Sequence, residues 1–354
     1  MLKSPSRRQS PTKRKQTVAI ATTNNDNKKV PTMKLKTKIL SLLFLALGLS
    51  INAHAEYPEE DVSIVIPYSP GGGFDRAVRA FAPHFQEHLG GDVTVLPRNV
   101  PGAGGRRGTT AVYRADPDGY TLGIINLPGF ALPRILGKPA EYDLREMSWI
   151  GRLEAQNYVL LVASDSDIKT IEDLKQLDEI TFTSTGYGST VLAATQIIAS
   201  GLGLQKKDPI YLAGYSGTSD SLVALVRGDG NVGMAPISSA AKYIQAGDLR
   251  AVAVTGESSP WEGVPTFAEA GYPELMALNL QRALAGPPGM SDELLETLRA
   301  AFVKTVNDPE FLKAAEKARM DVSPLDGEAM AEAVREAFEF YEKFKADLRN
   351  PNAQ

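Results

Sequence analysis

The sequence predicts an α/β protein of two lobes, each a mostly parallel sheet flanked by helices. Three observations carry that prediction. From residue 56 onward, short β-branched runs alternate with helical segments, the pattern of a parallel, doubly wound sheet. Two strand, glycine-loop, helix units follow one another between Ile64 and Gly108. Two extended, partly apolar segments, 150–162 and 275–285, carry few helix signals and suit two crossings between lobes.

Ahead of these elements, Met33-Lys34-Leu35-Lys36-Thr37-Lys38 is basic, Ile39 to Ile51 is an apolar run, and Ala53-His54-Ala55 is an A-x-A cleavage signature. This reads as a secretory signal peptide over 33–55, with the mature protein starting at Glu56; an uncleaved anchor is the alternative, against which the run is short. Residues 1–32 are polar and basic without apolar periodicity. They read as an upstream or disordered extension, or as a basic arm for an acidic surface.

The first unit runs Ser63 to Pro67 as a strand, breaks at Pro70-Gly71-Gly72-Gly73 and enters a helix with Phe74 and Asp75. The second has Val93 to Leu96 as strand, Pro101-Gly102-Ala103-Gly104-Gly105 as loop, and a helix through Tyr113. Glycines there let the backbone take positive φ and approach a ligand, while free N–H groups of the following helix favour an anion. Both loops are expected at the carboxyl edge of one sheet, converging on one negative group. After the turn Asp116-Pro117-Asp118-Gly119, strands are expected at 120–125, 158–163, 180–183, 209–212, 232–235 and 250–255, with helices between them. Residues 291–348 read as helical, punctuated by Pro309 and Pro324. Lobe 1 is therefore expected from 56–155 plus 276–354 and lobe 2 from 156–275.

With 354 residues, 43% of them hydrophobic, the chain buries a sizeable core, and its formal charge of -4 gives nucleic-acid binding no support. The absence of cysteine removes disulfides, thiolate chemistry and Cys-ligated zinc. Two motif matches have the wrong context. Gly228-Asp229-Gly230-Asn231-Val232-Gly233 fits G-x-G-x-x-G but leads from a helix into a strand, the reverse of a dinucleotide site. His84-Phe85-Gln86-Glu87-His88 fits the H-x-x-E-H of some zinc proteases. The apolar stripe Val78, Phe81, Ala82, Phe85, Leu89 leaves His84 near the solvent border, and a third ligand would have to be a distant carboxylate. No G-x-S-x-G elbow supports a hydrolase either; no cofactor and no metal set are expected, and the chain is not read as an enzyme.

Several blocks resemble the signature of the Bug-type solute-binding receptors of tripartite tricarboxylate transporters: Ile66 to Arg76, Arg98 to Gly105, Pro117 to Leu122, Ser184 to Ser189, Gly247 to Thr255 and Val264 to Gly271. The resemblance covers essentially the whole mature chain. It implies a periplasmic-binding-protein-like fold, two lobes closing on a small organic carboxylate, and hand-over to a membrane permease; a monomer without nucleic-acid partners is expected. A ligand-presenting receptor for a membrane sensor is the runner-up. The ligand-binding residues expected are Gly71, Gly72, Gly73, Phe74, Asp75, Ala103, Gly104, Gly105, Arg106, Ser184, Gly188, Ser189 and Thr190. Asp75 has a second reading as a favourable charge in the first helical turn. Arg106 and Arg107 read either as a bidentate clamp on a second carboxylate or as a solvated helix face; the hydroxyls at 184–190 read either as a grip on the ligand's far end or as an ordinary N-cap. This chain departs from the family pattern at Phe74, at Leu192, at Arg106 and Arg107, and over Asn279 to Arg282, departures that bear on the ligand rather than the fold.

Overall fold

The structure is a computed structural model that describes residues 57–348 apart from 187, 188 and 216. The signal peptide, the upstream extension, the Glu56 start and Gly188 lie outside the described residues.

The first unit forms as strand β1 (Val62–Ile66) and helix α1 (Gly73–Leu89), the second as β2 (Val95–Asn99) and α2 (Arg106–Tyr113). There follow β3 (Thr121–Leu127), α3 (Leu132–Ile135), β4 (Ser148–Ala163), α4 (Ile171–Gln176), β5 (Thr181–Thr185), α5 (Thr190–Gly201), β6 (Ile210–Tyr215), α6 (Thr218–Val226), β7 (Val232–Pro236), α7 (Ile237–Gln245) and β8 (Leu249–Val254). The chain then returns through β9 (Asn279–Gly286), α8 (Asp292–Val306), α9 (Pro309–Lys317), β10 (Val322–Asp326) and α10 (Gly327–Lys343).

The strands pair in the order β2-β1-β3-β9-β4-β7-β5-β6, with β8 and β10 also paired to β4. The sixteen-residue β4 is the spine. Its first part, Ser148 to Asn157, pairs with β9, and its last part, Tyr158 to Ala163, pairs with β7 and β8. One continuous strand thus serves both halves of the sheet. The α/β architecture is as expected, but the sheet is mixed. Among the named strands, parallel pairing is confined to β1 with β2 and β3, and β5 with β6 and β7. Every pair made by β4 or β9 is antiparallel, because these two crossing segments run against the βα units on either side.

The segment 322–326, expected within a helical region, is a strand. Pro324 is tolerated because β10 pairs only with β4 and the register shifts between Val322 and Leu325, and an edge or bulge position does not require its missing N–H. The core follows from pattern. β3 is buried at six consecutive positions, as a strand covered on both faces must be. In α1 the stripe Val78, Phe81, Ala82, Phe85 and Leu89 is buried, and Phe81 packs against Phe302 and Phe311, with ring centres 5.8 and 5.7 Å away. Deleting one such ring costs about 3 to 5 kcal/mol. Among the described residues, no helix is long and apolar enough to cross a membrane.

Candidate functional site

Strand-to-helix loops at the carboxyl ends of β1, β5, β6 and β7 bring four helix beginnings to one cavity of about 340 Å³. Gly73 lines it from α1, Thr190 and Val191 from α5, Thr218 and Ser219 from α6, and Ser238 and Ser239 from α7. The first turn of a helix carries N–H groups with no intrahelical partner and the positive end of the macrodipole. Gly72, Gly217 and Pro236, which precede α1, α6 and α7, supply no side-chain cap, although in α6 the Asp220 N–H is taken by the Gly217 carbonyl at 3.1 Å. Only α5 of the four is capped, by Ser189 Oγ accepting from the Leu192 N–H at 3.1 Å. The charged lining adds the same sign: Arg76, Lys242, Arg282 and Arg319 against the single acid Glu154.

Arg282 and Glu154 form an ion pair in the floor of the cavity, from neighbouring strands β9 and β4. Glu154 is fully buried and also accepts from Gln156 Nε2 at 2.6 Å and from the Asp321 N–H at 3.3 Å. The Arg282 guanidinium lies 4.7 Å from the centre of the Phe74 ring, a cation–π contact. Its Nη2 stands 2.8 Å from where a Cβ on residue 73 would be, so glycine at 73 gives the guanidinium its place. Arg282 Nε is buried without a partner, a donor left for something else to satisfy.

Between the two glycine loops the space is filled by aromatic rings. Tyr68 packs against Phe74 at 4.7 Å and Phe130 at 5.9 Å, and its hydroxyl accepts from Asn126 Nδ2 at 2.7 Å. Burial pushes the Tyr68 phenol up to about 12, although the Asn126 bond and the Arg282 charge pull the other way. Gly105 has φ of 94°, and a Cβ there would sit 2.6 Å from the Phe130 ring, so both conformation and space demand glycine.

The loops consequently border different cavities. Ala103, Gly104 and Arg106 line a neighbouring space of about 310 Å³ with Gly129 and Phe130, and Arg106 with Arg107 lines a third of about 580 Å³. Gly129 approaches the Thr190 methyl, which links the first two spaces. Of the expected ligand-binding residues, Gly73 and Thr190 share the cleft cavity. Phe74 lies beneath Arg282, and Gly71 and Gly72 form the turn before α1. Asp75, 4% exposed, points back into its own loop, accepting from the Gly71 N–H at 2.8 Å, Arg79 at 2.9 Å and Asn99 at 3.0 Å. Burial alone would raise its pKa; the bonds from Arg79, Gly71 and Asn99 outweigh it and hold the carboxyl down to about 2. Ser184 is wholly buried in β5, its hydroxyl without a partner. Ser189 is engaged as the α5 cap and bonded to Thr185 Oγ1 at 2.6 Å.

Sequence reasoning missed Arg76, Lys242, Arg282, Arg319 and the hydroxyls of α6 and α7. The hydroxyls had a signal. Gly214 to Ser219 repeats the strand, small polar loop, helix plan that singles out the first two units, and at Pro236 a strand passes directly into the helix that carries Ser238 and Ser239. Arg282 stands alone among the apolar residues Leu280, Ala283, Leu284 and Ala285, a position where a charge needs a partner.

Residues 77–343 match the family model described as tripartite tricarboxylate transporter family receptor. A Cupriavidus necator protein described as UPF0065 protein in gbd 5'region is 29% identical over 79% of this chain and 85% of its own length. Protein BugT of Bordetella pertussis is 27% identical over 73% of this chain and 81% of its own. Among solved structures, a TctC solute-binding protein from Polaromonas superposes with a TM-score of 0.69 at 24% identity, covering 81% of this chain and 98% of that one. MatC from Rhodopseudomonas palustris with bound malate gives 0.65 at 22%, covering 82% and 100%. A second R. palustris protein, with adipate, gives 0.67 at 21%, covering 82% and 98%. At these identities the structural likeness speaks for the fold.

Proposed function

The chain belongs to the tripartite tricarboxylate transporter receptor family, a family of solute-binding receptors rather than enzymes, and on that premise we propose that it captures a small organic carboxylate in the cleft and delivers it to a membrane permease of such a transporter. The observation that carries this reading is the convergence of four helix N-termini, three of them without a side-chain cap, on one cavity that also holds four cationic side chains against one acid. Oriented N–H dipoles and cations in a partly dry cleft favour an anion of carboxylate size. The volume of about 340 Å³ suits a small ligand, and relatives of the same fold hold malate and adipate.

The same reading assigns 56–155 with 276–354 to one lobe and 156–275 to the other, the lobes closing about the crossing strands β4 and β9 as hinged binding proteins do. It puts the mature receptor in the periplasm after removal of the leader 33–55, as a monomer.

The test is calorimetric titration of mature protein with a panel of mono-, di- and tricarboxylates that includes malate and adipate, the tightest acid then compared with its amide of the same shape. Each charge-assisted hydrogen bond is worth about 1.5 to 3 kcal/mol, so losing two weakens binding about a hundredfold or more. Equal affinity for acid and amide would refute the carboxylate site.

A further inference from the structure

The H-x-x-E-H stretch on α1 lacked a third ligand in sequence; the fold brings one. His84 and Glu87 lie three residues apart and share a helix face. Beside them stands Asp308, the N-cap of α9 at the corner between α8 and α9. One ring nitrogen of His84 and one carboxylate oxygen each of Glu87 and Asp308 all lie within 4.8 Å of one another. We propose that these three residues form a binding site for a divalent transition metal of the zinc class, where α1 meets the α8–α9 corner and separate from the ligand cleft. Gly73, at the cleft end of α1, lies eleven residues before His84, about 16 Å away at 1.5 Å per residue.

Tetrahedral zinc with bonds of about 2.0 to 2.2 Å holds its ligand atoms roughly 3.4 Å apart, inside the 4.8 Å within which these three atoms already lie. Two further observations point to a ligand. His84 Nδ1 is buried without a hydrogen-bond partner, so the imidazole has an unmet requirement. The Asp308 carboxylate is already oriented by outer contacts: Oδ2 meets His88 Nε2 at 2.9 Å, and Oδ1 accepts from the Glu310 N–H at 2.9 Å. Second-shell bonds of that kind fix ligating carboxylates in metal sites, which makes His88 a positioning residue. One imidazole and two carboxylates suit zinc, cobalt or nickel better than magnesium or calcium, which take oxygen ligands alone. The fourth position falls to water, the exposed Glu87 leaving access from solvent. A bound ion ties α1 to a residue 220 positions beyond His88 and thereby stabilises the folded state by mass action.

The experiment uses tag-free protein beginning at Glu56, whose histidines are His84 and His88, titrated with Co²⁺ by visible absorption and with Zn²⁺ by calorimetry. The expected result is one ion per chain with the intense visible bands of low-coordinate cobalt, and a Zn²⁺-dependent rise in melting temperature. His84→Ala and Glu87→Gln should each weaken binding at least tenfold and abolish that rise. Glu87 is exposed, so its substitution leaves the metal-free melting temperature unchanged and keeps the result interpretable even where His84→Ala folds poorly. Absence of saturable binding to wild type, or wild-type affinity in Glu87→Gln and in folded His84→Ala, would overturn the site and leave His88 and Asp308 as a simple surface pair.

Discussion

Replacing Arg282 by methionine removes one partner of a buried ion pair and strands Glu154, which has no exposure of its own. Breaking such a pair from one side costs about 3 to 5 kcal/mol. Glu154 keeps its bonds to Gln156 and to the Asp321 N–H, which places the expected loss at about 3 kcal/mol. In a chain of this size that corresponds to a drop in melting temperature of roughly 5 °C. The double variant Arg282→Met/Glu154→Gln removes both charges, and replacing a whole buried pair is often neutral, so its stability should return to within about 1 kcal/mol of wild type. Binding should not return, because the cation and its unpaired Nε donor are gone; the loss of one charge-assisted bond predicts at least a tenfold weaker carboxylate affinity in both variants. Urea unfolding and calorimetry on the four corners of this cycle separate the two roles. A single variant destabilised by under about 1 kcal/mol, or a double variant no more stable than the single, refutes the energetic pairing. Wild-type affinity in the double variant refutes Arg282 as a ligand contact.

Asp75→Asn should lower stability at neutral pH by about 2 kcal/mol, since a carboxyl depressed from 3.8 to about 2 is worth about 1.4 kcal/mol per pH unit. The sign follows from linkage: the contribution is present above pH 3.8, is lost as pH falls through about 2, and the two proteins' urea midpoints should converge there. Gly105→Ala combines positive φ with a 2.6 Å approach to Phe130, whereas Gly104→Ala has φ of 66° and open space; the first should lose at least about 1 kcal/mol more than the second, measured by the same unfolding. Solution scattering with saturating carboxylate should show a smaller radius of gyration than without, and an unchanged profile with binding confirmed speaks against lobe closure. N-terminal sequencing of exported protein should begin at Glu56, and any residue before Met33 sinks the cleavage reading.

The alternation of strands and helices, the buried stripe of α1 and the opening of α5 at Ser189 were legible in the chain because each depends on residues close in sequence: periodicity, glycine punctuation and capping chemistry. β4 was read only in part, since the stretch around Glu154 to Asn157 carries polar residues that a strand tolerates when β9 and β10 cover it. β10 falls inside 291–348, a stretch helical by pattern that Pro324 punctuates, and it becomes a strand only because an edge pairing with β4 excuses the proline's missing N–H.

Sequence by itself determined the fold class and the two glycine-loop units, because strand periodicity and loop chemistry are local properties. Tertiary structure alone decided which groups meet. Arg282 reaches Glu154 across a β4–β9 register, Asp308 reaches His88 from 220 residues away, and Asp75 turns inward to Asn99. Side chains far apart in sequence are brought together by strand order and helix packing, and the energy of such pairs depends on distance and burial, quantities that no local pattern of residues encodes.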